Sequence, residues 1–147
     1  MYHQNILTQS VKIFINKMQV KNCTLIKPLY CKKETNVVEV AKILRDNKQR
    51  RIIVVDENDY PIGIISTTDI NNRFVAENKN SLKSAAKDIM TSPIYLTCDI
   101  NNDLNEVFKK MVEHQSFFCP VIKDNKLYGV LTYGELIKRV HHQFKNG

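Results

Sequence analysis

The chain has 147 residues, 43% hydrophobic and 25% charged, an ordinary composition for a globular protein with one compact core or two small ones. Its 22 basic residues against 15 acidic give a net charge of +7, which favours anionic partners, but the lysines are scattered and read as a solvated surface. No apolar run approaches the roughly 18 residues that span a bilayer and the start lacks a secretory pattern, so a cytoplasmic protein with no membrane partner is expected.

Residues 1–18 carry Leu7, Val11, Phe14 or Ile15, and Met18 at intervals of three and four, which fits an amphipathic helix whose apolar stripe needs a partner elsewhere. A first repeat begins at Cys23. It holds an extended stretch around Leu25 to Cys31, then a helix from about Asn36 to Asp46 that Thr35 or Asn36 can cap. The inward face of that helix is Val37, Val40, Ala41 and Leu44, with Ile43 flanking. Arg50 and Arg51 lead into Ile52-Ile53-Val54-Val55, a continuous apolar run suited to a strand buried on both faces. The turn from Asp56 to Pro61 returns the chain through Gly63-Ile64-Ile65 as a hairpin partner, and a helix follows from Asp69 to near Asn78. The polar stretch from Asn78 to Ser84 reads as the connection to a second repeat.

That second repeat retraces the first. Met90-Thr91 is matched to Cys23-Thr24, Leu96 to Leu29, Cys98 to Cys31, and the helix from Leu104 to Glu113 to the one from Val37 to Asp46. Phe118-Cys119-Pro120-Val121-Ile122 stands in the place of Arg51 to Val55, followed by a turn one residue shorter. Each copy reads strand, helix, strand, strand, helix and is too small to fold well alone, so the two sheets are expected to pack on each other about a pseudo-two-fold axis. The expected organisation is a helix over residues 1–19, one repeat over 20–79 and another over 80–147.

The repeat is sharpest at Gly63-Ile64-Ile65-Ser66-Thr67-Thr68-Asp69, which returns 66 residues further on as Gly129-Val130-Leu131-Thr132-Tyr133-Gly134-Glu135. A strand that ends in hydroxyls and feeds a helix presents unpaired N–H groups suited to phosphate, and the acid can take ribose hydroxyls. Two nucleotide half-sites are therefore expected, and no catalytic centre. Asp69 also suits a helix cap, and the two roles are compatible. His114, His141 and His142 have no carboxylate or cysteine completing a metal set, and Cys23, Cys31, Cys98 and Cys119 lack ligand spacing and read as buried reduced thiols. No nucleophile is accompanied by a base and an orienting group, so no enzyme is expected. Tyr95, Phe117, Phe118, Tyr128 and Tyr133 fall mostly at strand positions, which makes nucleic acid a minor alternative.

Over about Val20 to Val140 the pattern resembles the CBS (cystathionine β-synthase) domain in tandem, a Bateman module. The resemblance rests on Met90-Thr91-Ser92-Pro93, Cys119-Pro120-Val121-Ile122 and the paired glycine, hydroxyl and acid sequences. It implies an α+β fold of two pseudo-symmetric β-α-β-β-α repeats packed through their sheets, with the N-terminal helix added. It also implies a regulatory protein that binds AMP, ADP, ATP or an S-adenosylmethionine-type ligand between the repeats and requires no cofactor. With no fused effector domain expected, output would pass to an unidentified protein target or through a homodimer. The alternative is a ligand-free dimerisation module.

Carried over by position, the main cleft takes Asp69 for ribose, Ser66 and Thr68 for ribose and phosphate, and Arg51 for phosphate. Thr91, Ile94 and Leu96 would form its adenine wall, with Ser116 and Phe117 as a further adenine contact and Ile64 also lining the cleft. The second cleft takes Val130, Thr132, Gly134 and Glu135 with Thr24, Lys27, Leu29, Gln49 and Arg50. It departs from the pattern: Glu135 replaces the usual Asp, and Phe118 stands where Arg51 stands in the first copy, so a phosphate there loses a charge-assisted partner. The Asp69 cleft is expected to be the stronger.

Overall fold

The computed structural model of the chain describes residues 18–146, with side chains through residue 139. The expected N-terminal helix and the side chains of His141 and His142 lie outside the described residues. The chain divides into two compact units. The first-sheet unit takes Pro28–Tyr95 and Asp124–Leu127. Of the described residues, the second-sheet unit takes 18–27, Leu96–Lys123 and 128–146.

In the first-sheet unit, β1 (Tyr30–Lys32), β2 (Arg51–Val55) and β3 (Pro61–Ser66) form one sheet in that order. β1 runs parallel to β2, with Cys31 opposite Val54, because α1 (Val37–Asn47) carries the chain back between them. Asn36 is the cap: its side chain accepts from the Val38 N–H at 2.8 Å. Val37, Val40 and Leu44 are buried, whereas Ala41 and Ile43 are only partly so. Lys48, at φ 54°, ends the helix in the left-handed region. β2 and β3 pair antiparallel with a bulge at Val54/Val55.

The helix after β3 departs from expectation at its start. α2 begins at Thr67 rather than Asp69 and continues as a π-helical turn over Ile70–Val75, with the Ala76 N–H bonded to the Asn71 carbonyl at 2.8 Å. A short helix that the sequence reading did not anticipate, α3 (Ala86–Ile89), follows the polar connection. Asp88 accepts from the Ala85 N–H at 2.8 Å, and the Ala86 and Lys87 amides donate to the Thr35 and Lys33 carbonyls at 2.7 and 3.0 Å.

The second sheet and its helices repeat the plan with β4 (Cys98–Asp99), α4 (Leu104–Glu113), β5 (Phe118–Lys123), β6 (Lys126–Thr132) and α5 (Tyr133–Asn146). Asp124 and Asn125, at φ 52° and 61°, make the two-residue turn that suits the twist of a hairpin. Its core gathers Leu104, Val107, Phe108 and Met111 of α4 with Cys119, Val121, Leu131 and Leu136.

Sequence repeat and compact unit are cut differently. Val20, in a 3-10 turn over Val20–Asn22, and Cys23 belong to the second core, while Ala86 and Ile89 belong to the first. The backbone bonds correspond: Val20 and Lys21 donate to the Asn102 and Ile100 carbonyls at 3.0 and 2.9 Å, as Ala86 and Lys87 do to Thr35 and Lys33. Each repeat therefore sends its lead-in segment to the sheet of the other.

All four cysteines are buried and free. Burial pushes the Cys23 and Cys31 thiols from the ordinary 9.0 up to about 11, and a hydrogen bond with Cys98, then burial, pushes Cys119 up as well. Because a raised thiol pKa stabilises the folded state only while the thiol is protonated, that contribution is complete below about pH 9 and is lost as pH rises through about 11. The native chain should thus resist maleimide labelling at neutral pH, with Cys23 and Cys31 becoming reactive as pH approaches 11. Fast labelling of all four at pH 7 in the folded state would contradict this.

Candidate functional site

In the first-sheet unit the backbone leaves the sheet at Ser66 and turns into α2. Ser66 Oγ accepts from the Asp69 N–H at 3.0 Å, and Asp69 Oδ2 accepts from the Ser66 N–H at 2.9 Å. This is a capping box, so Ser66 is the N-cap and Asp69 the third helical residue, not the cap itself. Its other oxygen, Oδ1, lies 3.7 Å from Arg73 Nε, beyond hydrogen-bond length, and the side chain is 16% exposed. Arg73 is turned instead toward the lead-in segment, donating to the Met90 and Ile89 carbonyls at 3.0 and 3.3 Å. Asp69 is therefore held in orientation through Oδ2, while Oδ1 makes a looser ion pair with Arg73.

The sheet register places Arg51 directly opposite Ser66, on the same face. The Thr67 amide donates to the Arg50 carbonyl at 3.0 Å, tying the turn to the start of β2. Ile64 and Thr91 exchange two backbone bonds, at 3.0 and 2.8 Å, so the lead-in segment runs along the free edge of β3. Gly63 permits that approach: a Cβ there would lie 2.5 Å from Met90 Sδ and 3.1 Å from the Thr91 carbonyl. Thr68 and Arg51 are exposed and Ile94 half-buried. Arg51, Ile64, Ser66, Thr68, Asp69, Thr91 and Ile94 thus share one unit.

The other main-cleft candidates, Leu96, Ser116 and Phe117, belong to the second-sheet unit. Leu96 is buried in its core. The Ser116 hydroxyl donates to the Phe118 carbonyl at 2.6 Å and is engaged internally. Phe117 is 69% exposed and meets Tyr133 edge-on at 6.0 Å, and Tyr133 in turn stacks on Phe108 at 5.8 Å.

Of the second set, Thr24, Lys27, Val130, Thr132, Gly134 and Glu135 lie in the second-sheet unit, whereas Leu29, Gln49 and Arg50 lie in the first. Thr132 Oγ1 accepts from the Glu135 N–H at 3.1 Å, half of a capping box. The Glu135 carboxylate does not complete it in the manner of Asp69. Its Oε1 accepts from the Thr24 N–H at 3.0 Å and from Arg139 Nε at 2.9 Å, and Arg139 also reaches Thr24 Oγ1 at 3.5 Å.

The structure corrects one match made from sequence. Val130 exchanges its two backbone bonds with Ile26, both at 3.0 Å, and Gly129 packs against Leu25 as Gly63 packs against Met90. Leu25-Ile26, not Cys23-Thr24, is therefore the counterpart of Met90-Thr91, with Pro28 answering Pro93. Cys31 and Cys98 do correspond, opposite Val54 and Val121. The lead-in segment of the second-sheet unit has one residue more between its buried anchor and the bridge, and that extra residue is Thr24.

Arg73 and Arg139 were missed in the sequence reading. The signal was an acid with an arginine four residues later in both copies, a spacing that places both on one helix face. Among the described residues no three His, Cys, Asp or Glu gather into a group that could hold a metal, and no helix is long and apolar enough to cross a membrane.

Comparison with known proteins agrees with this architecture. The CBS domain family matches residues 20–76 and 86–142, so the chain belongs to that family and carries it as a tandem pair. A protein of Methanopyrus kandleri is 33% identical over 102 residues, 69% of this chain and 52% of its own length. The homoserine O-acetyltransferase of Methanosphaera stadtmanae is 31% identical over 81% of this chain, which spans only 23% of that enzyme. The chain thus spans about half or less of these curated relatives. Among solved structures, a CBS domain pair in complex with 5-methylthioadenosine and S-adenosyl-L-methionine is 27% identical, with a TM-score of 0.64 over 85% of this chain and 96% of that one.

Proposed function

We propose that this chain is a regulatory, non-enzymatic CBS pair, its repeats bounded at 20–79 and 80–147, that binds an adenosine-containing small molecule through Asp69. The observation that carries this is the Asp69 carboxylate, with Oδ2 fixed by the Ser66 N–H and Oδ1 left beyond hydrogen-bond length of Arg73. A ribose diol can donate to Oδ1, whose ion pair with Arg73 is longer than a hydrogen bond. Arg51, opposite Ser66, and the exposed Thr68 are suited to the phosphates of AMP, ADP or ATP, or to the carboxylate of an S-adenosylmethionine-type ligand. The relative solved with two adenosyl ligands supports that class. Thr91, bridged to Ile64 of β3, and Ile94 would flank the base. The signal would pass to a partner protein or through a homodimer, provided the ligand binds two arrangements with different affinity.

Thermal melts with AMP, ATP and S-adenosylmethionine test this directly. At least one should raise the melting temperature in a saturable way, since a ligand at 100 times its Kd stabilises by about 2.7 kcal/mol. No shift with any of the three would leave the ligand-free dimerisation module as the function.

A further inference from the structure

Asp69 and Glu135 open the same turn in the two units, yet their carboxylates do different work. Asp69 folds back on its own cap. Glu135 reaches across to the Thr24 N–H while Arg139 grips the same oxygen. The cause lies in the lead-in segment. Thr24 is the residue by which that segment exceeds its counterpart, and the bridge begins two residues later at Ile26, so the Thr24 amide has no strand partner and takes the carboxylate instead. The extra methylene of Glu supplies the reach, and Arg139 Nε sits 2.9 Å from its acid, where Arg73 Nε sits 3.7 Å from Asp69 and its guanidinium also donates to backbone carbonyls.

We propose that Glu135 is a latch: with Arg139 it clamps Thr24 and closes its own half-site to ribose, which limits the chain to one adenosyl ligand. The latch itself is independent of any ligand, while the stoichiometry rests on the function proposed for Asp69.

Two measurements on the full chain separate these parts. Amide hydrogen exchange without ligand reads the latch. In Glu135→Ala, and more weakly in Arg139→Ala, the Thr24 amide should exchange about tenfold faster or more, as expected for loss of a hydrogen bond to a charged acceptor. The Ile26 amide, bonded to Val130, serves as the internal control for folding. Unchanged Thr24 exchange in a variant whose Ile26 amide stays protected would overturn the latch. Calorimetric titration with S-adenosylmethionine and AMP reads the stoichiometry: one equivalent for the wild-type chain, and two for Glu135→Asp, whose shorter arm releases Thr24. Two equivalents in the wild type would refute the closure of this half-site. No heat in either protein would refute the function proposed for Asp69, with the exchange result still deciding the latch.

Discussion

Replacing Phe108 by alanine should destabilise the chain by about 3–5 kcal/mol, the range for removing a buried aromatic side chain and leaving a cavity. Phe108 is 2% exposed and among the largest fully enclosed side chains. It stacks on Tyr133, the first residue of α5, with the rings 5.8 Å apart and 18° from parallel. Tyr133 is fixed on its other side by Phe117, whose carbonyl accepts the Tyr133 N–H at 2.8 Å. Loss of the Phe108 ring therefore removes packing from α4 and loosens the turn that presents Glu135. Against a typical domain stability of about 5–15 kcal/mol this is a large fraction. Urea unfolding would measure it as a fall in midpoint, and a change below about 1 kcal/mol would show that the α4 packing is not the keystone of this core.

The second large effect is expected at Asp69. Asp69→Ala should weaken adenosyl-ligand binding by about 10- to 100-fold, the consequence of deleting one or two hydrogen bonds to a charged acceptor. It should also lower stability by about 1 kcal/mol, because the Ser66 N–H loses its capping partner. Asp69→Asn separates the two: its amide oxygen can still accept from Ser66, so stability should be largely kept while affinity falls. A variant that loses stability but keeps affinity would place Asp69 among capping residues only.

Much of the fold was legible in residue patterns. The continuous run Ile52 to Val55 is β2 because a strand buried on both faces admits only apolar side chains, and all four are buried. The apolar face of α1 was readable from its spacing, and its cap was narrowed to Thr35 or Asn36, of which Asn36 is the one used. The start of α2 was placed two residues late because Ser66 and Asp69 are both good capping residues, and only the reciprocal bonds show which one is the cap. The short helix α3 was hidden because backbone bonds to Thr35 and Lys33, roughly 50 residues earlier, hold it in place.

The candidate site was legible in part for the same kind of reason. Glycine, hydroxyl and acid recur with one spacing, so Ser66 and Asp69 stood out. Glu135 stood out in the second copy as the departure from Asp, but its bonds to Thr24 and Arg139 were not visible. Insertion of one residue before Ile26 and loss of two after it nearly cancel in an alignment through Cys31 and Cys98, so Thr24 was taken for the partner of Thr91. Which amide a carboxylate accepts depends on that register, and no composition or period encodes it.

The most direct measurement is a calorimetric titration of S-adenosylmethionine and AMP into the wild-type chain, Asp69→Asn and Glu135→Ala side by side. Saturable binding to the wild type, retained in Glu135→Ala and lost or weakened at least tenfold in Asp69→Asn, is the predicted result. Equal affinity in the wild type and Asp69→Asn, or binding lost only in Glu135→Ala, would contradict the assignment of Asp69 as the ligand-binding acid.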